Sequence, residues 1–193
     1  SIREVNRMNK HIYSFRQKNR DKVSFAVRNV LSEIPELKEF IFNQRLLKVL
    51  KSLGDGLFLT KSILFDKPQN ENWYVTWHQD KTINVRDKIE TEGFSGWTQK
   101  GEGFGVIPPI EILNKTFTLR IHLDDTDERN GCLSVYPSSH NKTFSKEELD
   151  LITSNALPQK VEVYSGGVHV MKPLLLHSSA KSLSQKRRRV LHL

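Results

Sequence analysis

The pattern of hydrophobic and polar positions along the chain changes at Gly56. Before it, apolar residues recur at a helical period, which predicts one helix over residues 21–33 and a second from Pro35 to Gly54. After it, short β-rich runs alternate with turn residues such as the Asn130-Gly131 pair. These runs predict strands over residues 57–65, 73–78, 117–123, 132–136, 160–164, 168–176 and 188–193.

This order of elements predicts an α+β fold that is mainly β. Short strands separated by turns are typical of a sandwich or a barrel, and helices that precede them pack on the outer face of one sheet. A length of 193 residues fits a single domain, with residues 1–55 as helical support and residues 56–193 as the β core. Residues 145–148 form a capping box that predicts one further short helix. The glycine-rich residues 87–109 lack periodicity and predict a long active-site loop.

The composition limits the class of protein. The chain has one cysteine, Cys132, which excludes an intrachain disulfide and a CxxC zinc site, and we expect a reducing, cytoplasmic location. No apolar run approaches the roughly 20 residues of a membrane helix, so no membrane partner is expected. The net charge is +8, but outside residues 186–189 the basic residues are spread along the chain, which favours a solvated surface over a nucleic-acid site. We expect a monomer or a small homo-oligomer.

The sharpest local motif is Trp77-His78-Gln79-Asp80. On an extended segment, residues i and i+2 point to one face, so His78 and Asp80 present an imidazole and a carboxylate to the same point. Two histidines and one carboxylate on one side of a metal form the facial triad of non-haem Fe(II) oxygenases. Such triplets also occur by chance, and a strand histidine is often a satisfied core group, so the motif alone leaves both interpretations open. The later histidines that can complete a triad are His122, His140, His169, His177 and His192.

A second motif lies near the end of the chain, where an apolar strand ends in His177 and Arg188 follows eleven residues later. In a strand, Arg187 and Arg189 share one face, while Arg188 shares the other with Val190. An inward-facing arginine needs a partner, because a lone buried charge is very unfavourable, and a carboxylate is its natural bidentate partner. A solvated basic patch or an Arg–Asp pair is the alternative.

The combined order of these motifs resembles the phytanoyl-CoA dioxygenase family of Fe(II)/2-oxoglutarate oxygenases, in particular its uncharacterised bacterial members. The resemblance rests on the HxD motif, a histidine about a hundred residues later and an arginine eleven residues after that histidine. It implies a double-stranded β-helix, which is a jelly-roll or cupin-like barrel, with N-terminal helices on one sheet. The segments that carry it are residues 64–67, 77–82, 119–125, 130–133, 137–140 and 176–179.

The resemblance also implies an iron ligand set. His78, Asp80 and His177 match the three family ligands. Related halogenases replace the carboxylate with a small residue to make room for halide, so the presence of Asp80 favours hydroxylation over halogenation.

The resemblance further implies a site for the cosubstrate. Arg188 matches the arginine that holds the distal carboxylate of 2-oxoglutarate, and Ser179 matches a hydroxyl that assists it. Arg120 and Lys61 lie on strands where relatives line the cosubstrate pocket. The face that carries Arg120 is polar, and from the sequence it faces either the barrel interior or solvent.

The family implies an activity as well. An Fe(II)- and 2-oxoglutarate-dependent dioxygenase uses O2 to hydroxylate an unactivated C–H bond of a small molecule, and it releases succinate and CO2. The alternatives are the same chemistry on a nucleic acid or protein, a non-catalytic cupin-like binding module, and a zinc or manganese site that uses no 2-oxoglutarate. Trp97 and Phe104 either close over a substrate or anchor their own segment, and His192 shares the Arg188 face by parity.

Overall fold

The computed structural model of the protein describes residues 1–19, 26–67, 73–101 and 103–193. The α-helices are α1 (Ile2–Lys18), α2 (Val30–Glu33), α3 (Leu37–Ile41), α4 (Gln44–Leu53), α5 (Ile110–Lys115) and α6 (Lys146–Asn155). The strands are β1 (Ala26–Arg28), β2 (Ile63–Lys67), β3 (Val75–His78), β4 (Ile83–Val85), β5 (Ser95–Lys100), β6 (Gly103–Ile107), β7 (Thr118–His122), β8 (Leu133–Val135), β9 (Gln159–Val161), β10 (Val168–Met171), β11 (His177–Ser179) and β12 (Arg188–His192). No helix in the described part of the chain is long and apolar enough to cross a lipid bilayer.

Two antiparallel sheets enclose the interior of the protein. The larger has the order β1-β2-β12-β7-β10, and the smaller has the order β3-β11-β8-β9. Residues of both sheets line one internal cavity. This mainly β arrangement, with helices before the strands, is the double-stranded β-helix that the sequence predicts.

The two faces of the larger sheet differ in character. On the outer face, Leu64, Leu119, Ile121 and Leu191 are buried in one apolar cluster with residues of α1 to α4. Successive side chains of a strand point to opposite faces, so Arg120 and the other residues on its side of β7 point toward the interior. The helices cover one sheet as predicted, and the polar face is the interior face.

The arginines of β12 follow the predicted period of two. On the outer side, Arg187 Nε donates to Asp66 Oδ1 at 2.7 Å, and Arg189 Nη2 donates to Asp124 Oδ1 at 2.6 Å. Arg188, between them, is buried on the inner side. The chain thus neutralises its outward arginines with carboxylates, which is the usual requirement for partly buried charge.

The N-terminal region differs from the predicted pair of helices. Residues 21–25 lie outside the described residues, but Ala26–Arg28 is a strand that pairs with β2, and helix resumes only at Val30–Glu33. Pairing with the sheet edge and burial of Val27 outweigh the helical periodicity. The second predicted helix is two helices, because Asn43 caps α4 with its side chain and so ends the preceding turn. The end at Gly54 and the capping box before α6 are confirmed.

Residues 87–109 are not a plain loop, so that prediction is wrong. They contain β5 and β6, which form a three-stranded sheet with β4. A Cβ atom at Gly103 would lie 2.7 Å from the Val85 carbonyl oxygen, and one at Gly105 would lie 2.9 Å from Thr98 Oγ1. These glycines therefore allow close contact across the sheet, and they hide a β pattern that bulkier residues would have displayed.

Candidate active site

Two histidines face each other across neighbouring strands of the smaller sheet. β3 and β11 pair antiparallel with His78 opposite His177, and the centroids of the two rings are 4.1 Å apart. His78 Nδ1 donates to the Thr76 carbonyl at 2.8 Å, and His177 Nδ1 donates to the Leu175 carbonyl at 2.7 Å. Each ring is thereby held in the tautomer that leaves the Nε2 lone pair free for a metal.

Asp80 completes the cluster just after β3. Its backbone N–H donates to the Pro173 carbonyl at 2.9 Å, which ties the HxD turn to the segment that leads to His177. Its carboxylate oxygens lie 3.9 Å from His78 Nε2 and 3.9 Å from His177 Nε2. The three ligand atoms lie within 4.8 Å of one another, and they form the one such group found among the described residues. This donor set suits a divalent transition metal with open positions for further ligands.

The charge states of these groups also suit a metal. Burial, and the charge of His78 next to it, lower the pKa of His177 to about 4, so its imidazole is neutral at pH 7. Burial alone would raise the pKa of Asp80, but its interactions with the neighbouring imidazoles of His177 and His192 and with the ammonium group of Lys61 lower it, so the carboxylate is ionised. A neutral imidazole and a carboxylate anion are the forms that bind metals.

Gln79, between two of these ligands, fixes the turn that carries them. Its buried amide nitrogen donates to the carbonyls of Lys142 at 2.8 Å and Leu174 at 2.7 Å. Its amide oxygen accepts from the Phe144 N–H at 3.0 Å. One side chain thus joins the HxD turn to two other segments, a role that nothing in the sequence pattern indicates.

Arg188 lies at the other end of the same cavity. Its Nη1 donates to the Gly131 carbonyl and, at 3.2 Å, to Ser179 Oγ. Its Nε atom is buried without a hydrogen-bond partner, and none of the acidic residues in the described ranges pairs with it. Burial lowers its pKa to about 10, so the guanidinium remains charged. A buried arginine of this kind fits a carboxylate ligand.

Gly131 shapes this end of the cavity. Its φ is +78°, and a Cβ atom there would lie 2.5 Å from the Ala180 carbonyl oxygen. We expect Gly131→Ala to lower the free energy of unfolding by about 1–3 kcal/mol, because the backbone strain and the contact act together. It should also displace the carbonyl that accepts from Arg188.

The matched control for this prediction is Gly56→Ala. Gly56 has a similar φ of +68°, but a Cβ atom there would meet nothing within 4 Å. Urea unfolding of the two variants separates the contact from the backbone strain. Equal losses of stability would show that the contact with Ala180 has no effect.

The cavity that joins these groups has a volume of about 150 Å³. The family resemblance implies seven ligand and cosubstrate residues, and six of them line this cavity. The exception is Lys61. Four other residues of the lining, Phe65, Trp73, Val75 and Leu133, are apolar. The complete lining is Phe65, Trp73, Val75, His78, Asp80, Arg120, Leu133, His177, Ser178, Ser179, Arg188 and His192.

Arg120 projects from β7 into this cavity. It lies opposite His169 on one neighbouring strand and opposite His192 on the other. Its Nη1 is 3.4 Å from His192 Nδ1, and its Nε is buried without a partner in the described ranges. Burial and the charge of Arg188 lower its pKa to about 10.

Lys61 lines a neighbouring cavity of about 30 Å³. Asp80 and His192 form part of the wall of both cavities, whereas Arg188 and Ser179 line only the larger one. Lys61 Nζ donates to the Thr82 carbonyl at 3.3 Å. The structure therefore separates Lys61 from the arginine with which the sequence groups it.

Lys67 is a buried cation that the sequence analysis missed. It lies directly opposite Arg188 in the β2–β12 ladder, and its Nζ donates to the carbonyls of Trp73 at 2.8 Å and Ala180 at 3.0 Å. Burial, and the charge of Arg188, lower its pKa to about 8. The alternation of β2 is the signal that could have placed it, since Phe65 on the same face lines the cavity.

The remaining candidates lie outside the metal cavity. His122 Nδ1 hydrogen-bonds with Thr126 Oγ1 at 2.7 Å as a buried core group, and His140 lies on a short 3₁₀ turn. Trp97 packs edge-on against Phe104 with ring centroids 6.2 Å apart. The aromatic pair therefore stabilises the small sheet.

The fold is shared with several solved structures. EvdMO1 aligns with a TM-score of 0.69 at 19% identity over 98% of this chain and 43% of that chain. EctD from S. alaskensis with 2-oxoglutarate and 5-hydroxyectoine has a TM-score of 0.72 at 17% identity over 100% of this chain and 67% of that one. SnoK, a non-haem alpha-ketoglutarate-dependent carbocyclase from nogalamycin biosynthesis, has a TM-score of 0.72 at 17% identity over 100% and 74% of the two chains. These identities establish the fold alone, and this chain spans less than half of the EvdMO1 chain.

Sequence comparison gives the family directly. No curated protein sequence is significantly similar to this chain. The model of the phytanoyl-CoA dioxygenase (PhyH) family, in contrast, matches residues 4–190. The match includes both histidines, the aspartate and the late arginine of the cavity, and it agrees with the resemblance seen in the motifs. The chain therefore belongs to the phytanoyl-CoA dioxygenase family.

Proposed function

We propose that the protein is an Fe(II)- and 2-oxoglutarate-dependent dioxygenase that hydroxylates a C–H bond of a small molecule. The observation that carries this proposal is one cavity with a His78–Asp80–His177 metal cluster at one end and Arg188, without a carboxylate partner among the described residues, at the other. Family membership and the EctD structures with iron and with 2-oxoglutarate support the same cofactor and cosubstrate.

In this proposal the chain's own residues bind and orient the reactants. His78, Asp80 and His177 hold Fe(II) through two Nε2 atoms and a carboxylate oxygen. Arg188 and Ser179 hold the distal carboxylate of 2-oxoglutarate, and Arg120 contributes positive charge to the same pocket. When bound, the iron and the 2-oxo acid supply the activation of O2, with succinate and CO2 as co-products.

The residues also limit which reaction and which substrate are possible. Asp80 occupies the third ligand position with a carboxylate, which favours hydroxylation over halide transfer. The cavity has a volume of about 150 Å³ and is lined by residues of both sheets, which suits a small molecule better than a polymer.

The test of this proposal is the dependence of succinate formation on each component. We expect the purified protein to convert 2-oxoglutarate to succinate only when Fe(II) and O2 are both present. Chelation of the metal should abolish the turnover, and added Fe(II) should restore it. Succinate formation that survives removal of the metal would refute the assignment.

A further inference from the structure

The small cavity around Lys61 has the chemistry of an anion site. Four threonines line it together with Lys61 and His192, and the Thr116 hydroxyl already donates to the Ile112 carbonyl at 2.8 Å. Hydroxyl and ammonium hydrogens are the donors that bind carboxylate and phosphate oxygens. The four are Thr60, Thr82, Thr116 and Thr118.

The charges around the two cavities are unbalanced. Asp80 is the one acidic side chain that lines either cavity, whereas Lys61, Arg120 and Arg188 all do so. None of these three cations forms an ion pair within the described residues, although both outward arginines of β12 do. Fe(II) adds two positive charges and 2-oxoglutarate adds two negative charges, so the surplus remains when both are bound. Arg120 and Arg188 are buried and Lys61 is half-buried, and unpaired charge in such positions is unfavourable until an anion binds.

Lys61 lines a different cavity from Arg188, which holds the distal carboxylate of the cosubstrate in the function proposed above. His192, which shares the Lys61 cavity, lies four residues after Arg188 on β12, a distance of roughly 13 Å along the strand. Asp80 stands between the two cavities. A group bound at Lys61 therefore reaches Asp80 from a different cavity than the one that Arg188 lines.

We propose that Lys61 binds a carboxylate or similar oxyanion of the substrate that is oxidised, a role that rests on the function proposed above. This role replaces the cosubstrate role that the family resemblance implies for Lys61. The volume of about 30 Å³ admits one small group and no more. The substrate is thus a small anion whose charged end is held beside Asp80, with its remainder directed toward the metal.

The experiment uses the protein loaded with 2-oxoglutarate and with Mn(II) in place of Fe(II). Mn(II) allows 2-oxoglutarate to bind but does not support turnover. Formate and inorganic phosphate serve as minimal oxyanions, with formamide as the neutral match of formate, at constant ionic strength. Dissociation constants are measured by calorimetry for the wild type and Lys61→Met. Lys100→Met is the control, because its charge acts on Lys61 from an exposed position outside the cavity.

We expect an oxyanion to bind the wild type and to bind Lys61→Met at least about ten-fold more weakly, since a charge-assisted hydrogen bond is lost. Lys100→Met should retain the affinity, and 2-oxoglutarate should bind all three proteins alike. Whichever of formate and phosphate binds more tightly identifies the anionic group.

Four results would overturn the inference. They are no oxyanion binding, equal binding of formamide, equal oxyanion binding by Lys61→Met, and weakened binding of 2-oxoglutarate alone in Lys61→Met. The last would return Lys61 to the cosubstrate site. A wild-type protein that binds no 2-oxoglutarate with Mn(II) would instead refute the proposed function, and the inference with it.

Discussion

Replacement of His177 by alanine is expected to lower succinate formation by at least about 100-fold. Loss of a residue that only hydrogen-bonds to a metal ligand already lowers metal affinity or activity by about 10–100-fold. The variant removes one of three ligand atoms that lie within 4.8 Å of one another. It leaves the strand ladder intact, because His177 pairs with Val135 through its backbone. Metal affinity, measured by competition with a chelating dye, should fall together with turnover.

His140→Ala is the control for this variant. His140 lies on the 3₁₀ turn outside the cavity, so its removal should change neither metal affinity nor turnover. Metal affinity and succinate formation that remain at wild-type levels in His177→Ala would exclude the ligand assignment.

Replacement of Arg188 by methionine is expected to raise the KM for 2-oxoglutarate by roughly 100-fold, which corresponds to about 3 kcal/mol for a buried ion pair. The same variant should increase the free energy of unfolding of the protein without cosubstrate. The reason is that Arg188 is 6% exposed and has no carboxylate partner among the described residues. Steady-state kinetics and urea unfolding measure the two effects.

Arg187→Met is the matched control, because Arg187 directly precedes β12 and points to the opposite side from Arg188. Arg187 Nε donates to Asp66 Oδ1 at 2.7 Å, and Asp66 is fully buried. This variant should lower the free energy of unfolding and leave the KM for 2-oxoglutarate unchanged. The two substitutions are thus expected to change the free energy of unfolding in opposite directions. Equal changes in this free energy and in the KM for 2-oxoglutarate would contradict the assignment of Arg188 to the cosubstrate.

The site could be predicted from the sequence wherever it depends on strand parity. The HxD spacing predicts that His78 and Asp80 point to one face, and the period of two predicts that Arg188 lies on the face opposite to Arg187 and Arg189. Which of these two faces is the inner one follows from the structure. Parity could not place Gln79, because its three partners come from distant segments. Lys67 follows parity, but its partners are backbone carbonyls that carry no sequence signal.

The fold prediction was less complete where tertiary contacts outweigh local pattern. Ala26–Arg28 is a strand inside a helical periodicity because it pairs with β2. β5 and β6 were missed because glycines, needed for close approach across the sheet, remove the alternation that marks a strand. The separation of Lys61 from Arg188 depends on where two cavities meet, which no linear pattern encodes.

Because both imidazole rings have their Nδ1 hydrogens tied to carbonyls two residues earlier, no tautomer change separates the metal-free protein from the loaded one. The folded protein is therefore already arranged to bind a divalent metal ion. Ni(II) and Cu(II) bind nitrogen and oxygen sites more tightly than Fe(II) does. The metal ion in a purified sample will therefore depend on the metals present during expression and purification. The protein should be stripped of metal and reconstituted with Fe(II) before any assay.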